Sequence, residues 1–266
     1  MNNNLIWLGI SQIEGMTSDK IFRLLKTVKN ENEIMKLTKE KMKMAQLTEE
    51  QCNKLIQLNE DKLNEYNNKL KEKKIYFITK ENSKYPRKLK NIYDAPYYLY
   101  VKGNISILNE DSIAIIGSRN CSKYGENMAK KLSFDLSKYN KIIISGMARG
   151  IDTYAHQGSI DAKGKTIAVL GSGIDVIYPK ENEKLYYDIL SNDGAIISEY
   201  PIGEKPSQIH FPARNRIISG LCNKLIVVEA GEKSGTFITV DFALEQGKEI
   251  YAVPGNATSY HSIRYQ

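Results

Sequence analysis

Arg119, Arg214, Arg216, Lys180, Lys205 and Phe211 are the residues of this chain whose types and spacing point most directly to a chemistry, and that chemistry is recognition of a polyanion. Arg119 follows Gly117 and Ser118, and Arg214 and Arg216 follow Phe211 in Phe211-Pro212-Ala213-Arg214-Asn215-Arg216. A guanidinium forks two hydrogen bonds onto a phosphate, and an aromatic face stacks on a base, so cations interleaved with Phe211 suit a single-stranded nucleic acid. Lys180 and Lys205 lie in loops expected to open on the same edge. For Arg214 and Arg216 a second role stays equally open, namely local pairing with Glu199 or Glu229.

Other polar residues read as loop structure rather than catalysis. Asp152 and His156 form the one pair that resembles an acid and a base, but no nucleophile or metal set accompanies them, so helix capping by Asp152 and a buried hydrogen bond for His156 are expected. Glu229 and Asp241 have ready roles in loop and helix-face hydrogen bonding. Gly117, Gly146, Gly150, Gly171, Gly173 and Gly235 let backbone approach a ligand, and Ser234 and Thr236 precede a helix start whose amides suit an anion. No G-x-G-x-x-G follows the first strand of the α/β region, where Arg119 stands in place of the second glycine, and no G-x-x-x-x-G-K-[ST] occurs. Dinucleotide and P-loop chemistry are excluded on that ground. With the odd set Cys52, Cys121 and Cys222 far apart, neither a disulfide framework nor a metal site is expected, and no cofactor is assigned.

The elements that must position these residues follow from periodicity. From residue 112 onward, short apolar runs alternate with helix-length amphipathic segments, the pattern of a parallel α/β sheet. Strands are predicted at Ser112–Ile116, Lys141–Ser145, Thr166–Leu170, Ala195–Ser198, Lys224–Val228 and Lys248–Val253. Each special loop follows the carboxyl end of one of them, so all six are expected to converge on one crevice where strand order reverses. The fold class is therefore α/β, a Rossmann-like, doubly wound, mostly parallel sheet over 112–266. Residues 1–72 read as a small all-helical domain of the helix-hairpin-helix or SAM-like kind. Its single glycine-containing hairpin at Gly15 favours a packing or oligomerisation unit over a DNA clamp. Between them, 73–111 reads as a strand-edged connector whose tyrosines pack rather than stack on bases.

Composition is permissive. A chain of 266 residues with 41% hydrophobic content can bury a sizeable core, and Lys plus Arg (38) over Asp plus Glu (31) gives +7. No signal-peptide pattern or membrane-length apolar run is present, so a soluble, cytoplasmic protein without membrane association is expected.

The loops, in order, resemble the DprA/Smf family of DNA-processing proteins. The matching strings are Gly-Ser-Arg at 117–119, Ser-Gly-Met-Ala-Arg-Gly-Ile-Asp at 145–152 with Ala155-His156, Gly-Ser-Gly-Ile-Asp at 171–175, and Tyr-Pro at 178–179. They continue with Ser-Glu-Tyr-Pro at 198–201, Phe-Pro-Ala-Arg-Asn-Arg-Ile-Ile-Ser-Gly-Leu at 211–221, Val-Val-Glu-Ala at 227–230, Ser-Gly-Thr at 234–236 and Val-Pro-Gly-Asn at 253–256. The resemblance implies a homodimeric, non-catalytic protein that binds and protects incoming single-stranded DNA and promotes RecA loading in natural transformation. It implies a DNA contact at Arg119, with Phe211, Arg214 and Arg216 contributing. Many relatives continue into a winged helix beyond the Val-Pro-Gly-Asn motif, and the ending at Gln266 reads as a short or truncated form.

Two alternatives compete. The first is a nucleotide phosphoribohydrolase, whose P-G-G-x-G-T-x-x-E loop corresponds here to Gly231-Glu232-Lys233-Ser234-Gly235-Thr236-Phe237-Ile238-Thr239, with Thr239 in place of the essential carboxylate. The second is an adaptor that contacts RecA without binding DNA.

Overall fold

A computed structural model describes residues 3–231 and 234–255. The N-terminal segment is helical throughout, with α1 (Asn3–Ile10), α2 (Ser18–Lys26), α3 (Lys39–Met44), α4 (Glu49–Ile56) and α5 (Glu60–Glu72). Threonines set the starts: Thr17 accepts from the Lys20 amide, and Thr48 with Gln51 completes a capping box on α4. α1 is apolar nearly all round, and Leu5, Ile6, Trp7, Leu8 and Ile10 are all buried. A helix of that kind must be covered on every side, and the sheet supplies part of the cover. The Trp7 ring stacks on Tyr97 with centroids 5.4 Å apart, and the Ser11 and Tyr100 hydroxyls are 2.6 Å apart. One apolar cluster runs from these helices into the sheet through Tyr98, Tyr100 and Met147.

The chain continues as β1 (Ile75–Thr79), α6 (Arg87–Lys90), β2 (Tyr98–Gly103), β3 (Ser112–Ile116), α7 (Lys123–Lys138), β4 (Ile142–Ser145), α8 (Ile151–Asp161), β5 (Thr166–Leu170), α9 (Glu183–Ser191), β6 (Ala195–Ser198), α10 (His210–Leu221), β7 (Lys224–Val227), α11 (Thr236–Glu245) and β8 (Glu249–Ala252). Each strand predicted from residue 112 onward is present, shortened by a residue at an end in three cases: Lys141, Val228, and both Lys248 and Val253 lie outside. β3, β4, β5 and β6 are buried at every position, as expected for parallel strands covered on both faces.

The eight-stranded sheet runs β1-β2-β6-β5-β4-β3-β7-β8. β3 through β8 pair in parallel, whereas β1 pairs antiparallel with β2 and β2 antiparallel with β6. Residues 73–111, expected as a connector, therefore widen the sheet itself by two strands. The chain steps outward from β3 to β6 and then returns past β3 to β7, so the order reverses between β3 and β7. In an open α/β sheet the crevice forms outside the carboxyl ends of the strands at that reversal. α7 and α8 pack on one face through Ile115, Ala129, Ile143 and Ala155, and α10 and α11 cover the other through Ile116, Ile217, Leu225 and Ala243.

Among the described residues no helix is long and apolar enough to cross a membrane, and no group of three or more His, Cys, Asp or Glu is arranged to hold a metal.

Candidate nucleic-acid interface

A cleft of about 810 Å³ opens at the reversal point. Its lining comes from five of the six loops that follow the parallel strands: Gly117–Asn120 after β3, Ala148, Arg149 and Asp152 after β4, Tyr178 after β5, Gln208 leading into α10 after β6, and Gly231 with Ser234–Thr236 after β7. Pro254 and Gly255, after β8, stand apart from it.

The Gly-Ser-Arg loop is held by its neighbours' backbone. The Ser118 amide donates to the Glu229 carbonyl at 2.7 Å, and the Ile151 amide donates to the Ser118 carbonyl at 3.1 Å. Gly150 makes that second contact possible. Its φ is +74°, and a Cβ there would sit 2.3 Å from the Ser118 carbonyl oxygen. Glu229 works as a loop anchor, its carboxylate accepting from the Ser122 amide at 2.8 Å and from the Ser122 hydroxyl, and it thereby fixes the start of α7. Ser234 and Thr236 close the start of α11, the Thr236 amide donating to the Ser234 hydroxyl at 3.2 Å.

Arg119, exposed at the mouth, lies over the Phe211 ring with its guanidinium carbon 5.3 Å from the centroid. Tyr178 packs against the same ring at 5.5 Å and is 41% exposed. Cation, ring and ring thus form one column at the cleft mouth. In general a guanidinium plane and an aromatic face are surfaces on which a base can stack, and a guanidinium edge can hydrogen-bond a phosphate. Gly171 gives the ring its seat, since a Cβ there would fall 2.8 Å from Phe211 Cδ1.

Deeper in the cleft, Arg214 is buried and its Nη1 donates to the Gly146 carbonyl at 2.5 Å and to the Val169 carbonyl. Burial pulls its pKa down to about 10, against the opposing charge of Asp152, so the guanidinium remains charged at neutral pH. Asp152 does not cap its own helix. Its Oδ2 instead accepts from the Gly146 and Ala148 amides at 3.2 and 3.3 Å, and burial raises its pKa. Asp152 therefore pins the preceding loop. Gly173 lies off the cleft, its amide donating to Glu204. His156 is wholly buried, 2.7 Å from the Thr166 hydroxyl through Nδ1. Thr166 donates its own proton to the Ile143 carbonyl, so Nδ1 must carry the ring proton and Nε2 is left bare. Burial, with Arg214 adding to it, holds the His156 pKa down to about 3. The imidazole is a neutral core group.

Three predicted contacts fall elsewhere. Arg216 points away from the cleft, in bidentate contact with Glu199 at 2.8 and 2.9 Å, which is the local pairing that the sequence left open. Lys180 and Lys205 are exposed but do not line the cleft. Asn256, the last residue of the Val-Pro-Gly-Asn string, lies outside the described residues. The sequence reading missed Tyr178, which passes for a turn residue before Pro179, and also Arg149, Asn215 and Gln208. Arg149 is on the rim, tied to Glu181 at 2.7 Å.

A doubly wound sheet with its cleft at the reversal point, furnished with a guanidinium-aromatic column in place of a dinucleotide loop, defines a Rossmann-like protein suited to an anionic ligand with stackable rings. Residues 76–263 match the DNA recombination-mediator protein A family, and the chain belongs to that family. It is 48% identical to the DNA processing protein DprA of Streptococcus pneumoniae over 172 residues, covering 65% of this chain and 60% of that protein. With the Smf protein of Escherichia coli the identity is 34% over 250 residues, 94% of this chain and 66% of the relative. The chain thus spans 60% and 66% of the length of these two relatives. The X-ray structure of S. pneumoniae DprA superposes with a TM-score of 0.82 at 36% identity, covering 98% of this chain and 89% of that one. DNA processing protein A from Helicobacter pylori, solved to describe its single-stranded DNA binding mode, superposes at 0.64 with 28% identity, covering 70% of this chain and 84% of that one.

Proposed function

We propose that this chain binds single-stranded DNA in the cleft, without turnover, and that as a cytoplasmic homodimer it protects the strand and delivers it to the RecA recombinase. The observation that carries the DNA reading is the Arg119–Phe211–Tyr178 column at the cleft mouth. Charge on the outside and flat faces within are what a single strand offers partners for, whereas a duplex keeps its base faces covered. The single-stranded DNA binding mode described for the H. pylori relative supports the same assignment. The polar groups near the cleft support binding over catalysis: Asp152, Arg214, Glu229 and His156 are each engaged in holding loops or core. The family's description as a recombination mediator supports delivery to a recombinase.

The test is a titration of fluorescein-labelled oligo-dT and of a duplex of equal length, followed by anisotropy. Preferential binding of the single strand is expected, and equal or stronger binding of the duplex would overturn the reading. Co-purification with RecA on immobilised oligo-dT tests delivery; RecA loading that is no faster with this protein than without it would remove that part. Absence of any oligonucleotide binding together with RecA capture would favour the adaptor alternative.

A further inference from the structure

Arg216 lies two residues beyond Arg214 on α10, buried, with only 6% of its surface exposed. Its guanidinium touches four parts of the molecule. Nη1 and Nη2 grip the Glu199 carboxylate at the end of β6, and Nε contacts Asp94 at its carbonyl (3.1 Å) and its carboxylate (2.8 Å). Nη2 also donates to the hydroxyl of Ser18, the first residue of α2, at 3.2 Å. Nη1 returns to the Ala213 carbonyl of its own helix at 3.0 Å. Every nitrogen of the fork is used.

Such a buried, multiply paired guanidinium is costly to desolvate and adds little to stability over an apolar replacement. What it does supply is geometry, because a rigid planar fork fixes the groups that it joins. Here the joined groups are the second turn of α10, the loop before β2, the end of β6 and the N-terminal helices. The first two turns of α10 carry Phe211 and Arg214, the centre and floor of the cleft. α10 has no side-chain cap to fix its start. Its first turn is therefore oriented from behind.

We infer that Arg216 is a positioning residue for nucleic-acid binding: by clamping α10 to Glu199, Asp94 and Ser18 it sets Phe211 and Arg214 in the cleft and makes the N-terminal helical unit part of the site's support. This rests on the proposed binding of single-stranded DNA, and it assigns Arg216 no contact with the strand.

The experiment measures affinity for labelled oligo-dT, and its salt dependence, for wild type, Arg216→Lys, Phe211→Ala and the double variant. Arg216→Lys keeps the charge and loses the fork. An affinity loss of roughly 3- to 30-fold is expected, the range of couplings carried through packed networks, with the salt slope unchanged because no phosphate contact is removed. The Phe211→Ala penalty should shrink in the Arg216→Lys background, since the ring is already misplaced there; a merely structural role would leave the two losses additive. Wild-type affinity in Arg216→Lys, additive losses, or a slope reduced by about one phosphate would each overturn the inference. Should Arg216→Lys lose its native circular dichroism, Glu199→Gln, which relaxes the grip and keeps the other contacts, is read in the same cycle with the same expectations. Failure of the wild type to bind oligo-dT at low salt would overturn the underlying DNA reading, and this inference with it. A wild type that binds with an uncoupled Arg216→Lys overturns this inference only.

Discussion

Removing the ring of Phe211 tests how the cleft uses its aromatic column. Phe211 is the member that touches both others, with Arg119 at 5.3 Å and Tyr178 at 5.5 Å, so Phe211→Ala withdraws the support of both stacking surfaces. The contact of Arg119 with the ring is present before and after binding, and its loss largely cancels in the affinity. What does not cancel is base stacking on the column, worth about 1–3 kcal/mol per base. At about 1.4 kcal/mol per tenfold, that predicts a dissociation constant for oligo-dT raised by roughly 5- to 150-fold. The salt slope should stay at the wild-type value, because the phosphate contacts are untouched. Phe211→Leu keeps an apolar side chain on Gly171 but has no π face, and should behave like Phe211→Ala; Phe211→Trp should bind within about threefold of wild type. The assay is anisotropy at several salt concentrations, with urea unfolding to confirm that each variant is folded. Wild-type affinity for Phe211→Ala, or an affinity recovered by leucine, would refute stacking.

Gly150→Ala places a Cβ 2.3 Å from the Ser118 carbonyl at a φ of +74°; a loss of about 1–3 kcal/mol in urea unfolding is expected, with weakened oligo-dT binding because the Gly-Ser-Arg loop must move. His156, whose pKa is held down to about 3, remains neutral in the folded chain while the unfolded chain takes up a proton below about pH 6.5. Its contribution is thus fully present above pH 6.5 and is lost as pH falls toward 3. Between pH 7 and pH 5 the wild type should lose about 2 kcal/mol more stability than His156→Gln, and equal losses in the two proteins would remove His156 as the cause.

Much of this architecture is legible in the sequence because parallel strands buried on both faces are written as unbroken apolar runs. Ile113–Ile116, Ile142–Ile144 and Ile167–Leu170 have no other reading between their glycines. β1 and β2 were harder. Ile75–Thr79 reads as a strand, but nothing local says that Tyr100 pairs with Ser198 to extend the sheet antiparallel. In the cleft, the Gly-Ser-Arg loop and Phe211 stood out by residue type. Between a nucleic-acid contact and local pairing, the sequence alone does not choose for Arg214 and Arg216. They are helical, and residues two apart on a helix point to nearly opposite sides, so one arginine faces the cleft and the other the N-terminal unit. Lys180 and Lys205 lie in loops that follow β5 and β6, but a loop's place after a strand fixes neither its reach nor its direction. Tyr178 carried no local mark of function. Only its approach to Phe211 across 33 residues of chain reveals it.

The most direct test of single-strand recognition centred on Arg119 is the salt dependence of oligo-dT and duplex binding for wild type and Arg119→Ala. Wild type should prefer the single strand with a steep slope, and Arg119→Ala should bind more weakly with native circular dichroism and a slope shallower by about one. An Arg119→Ala protein that binds oligo-dT with wild-type affinity and slope would contradict the assignment of this cleft as the DNA site.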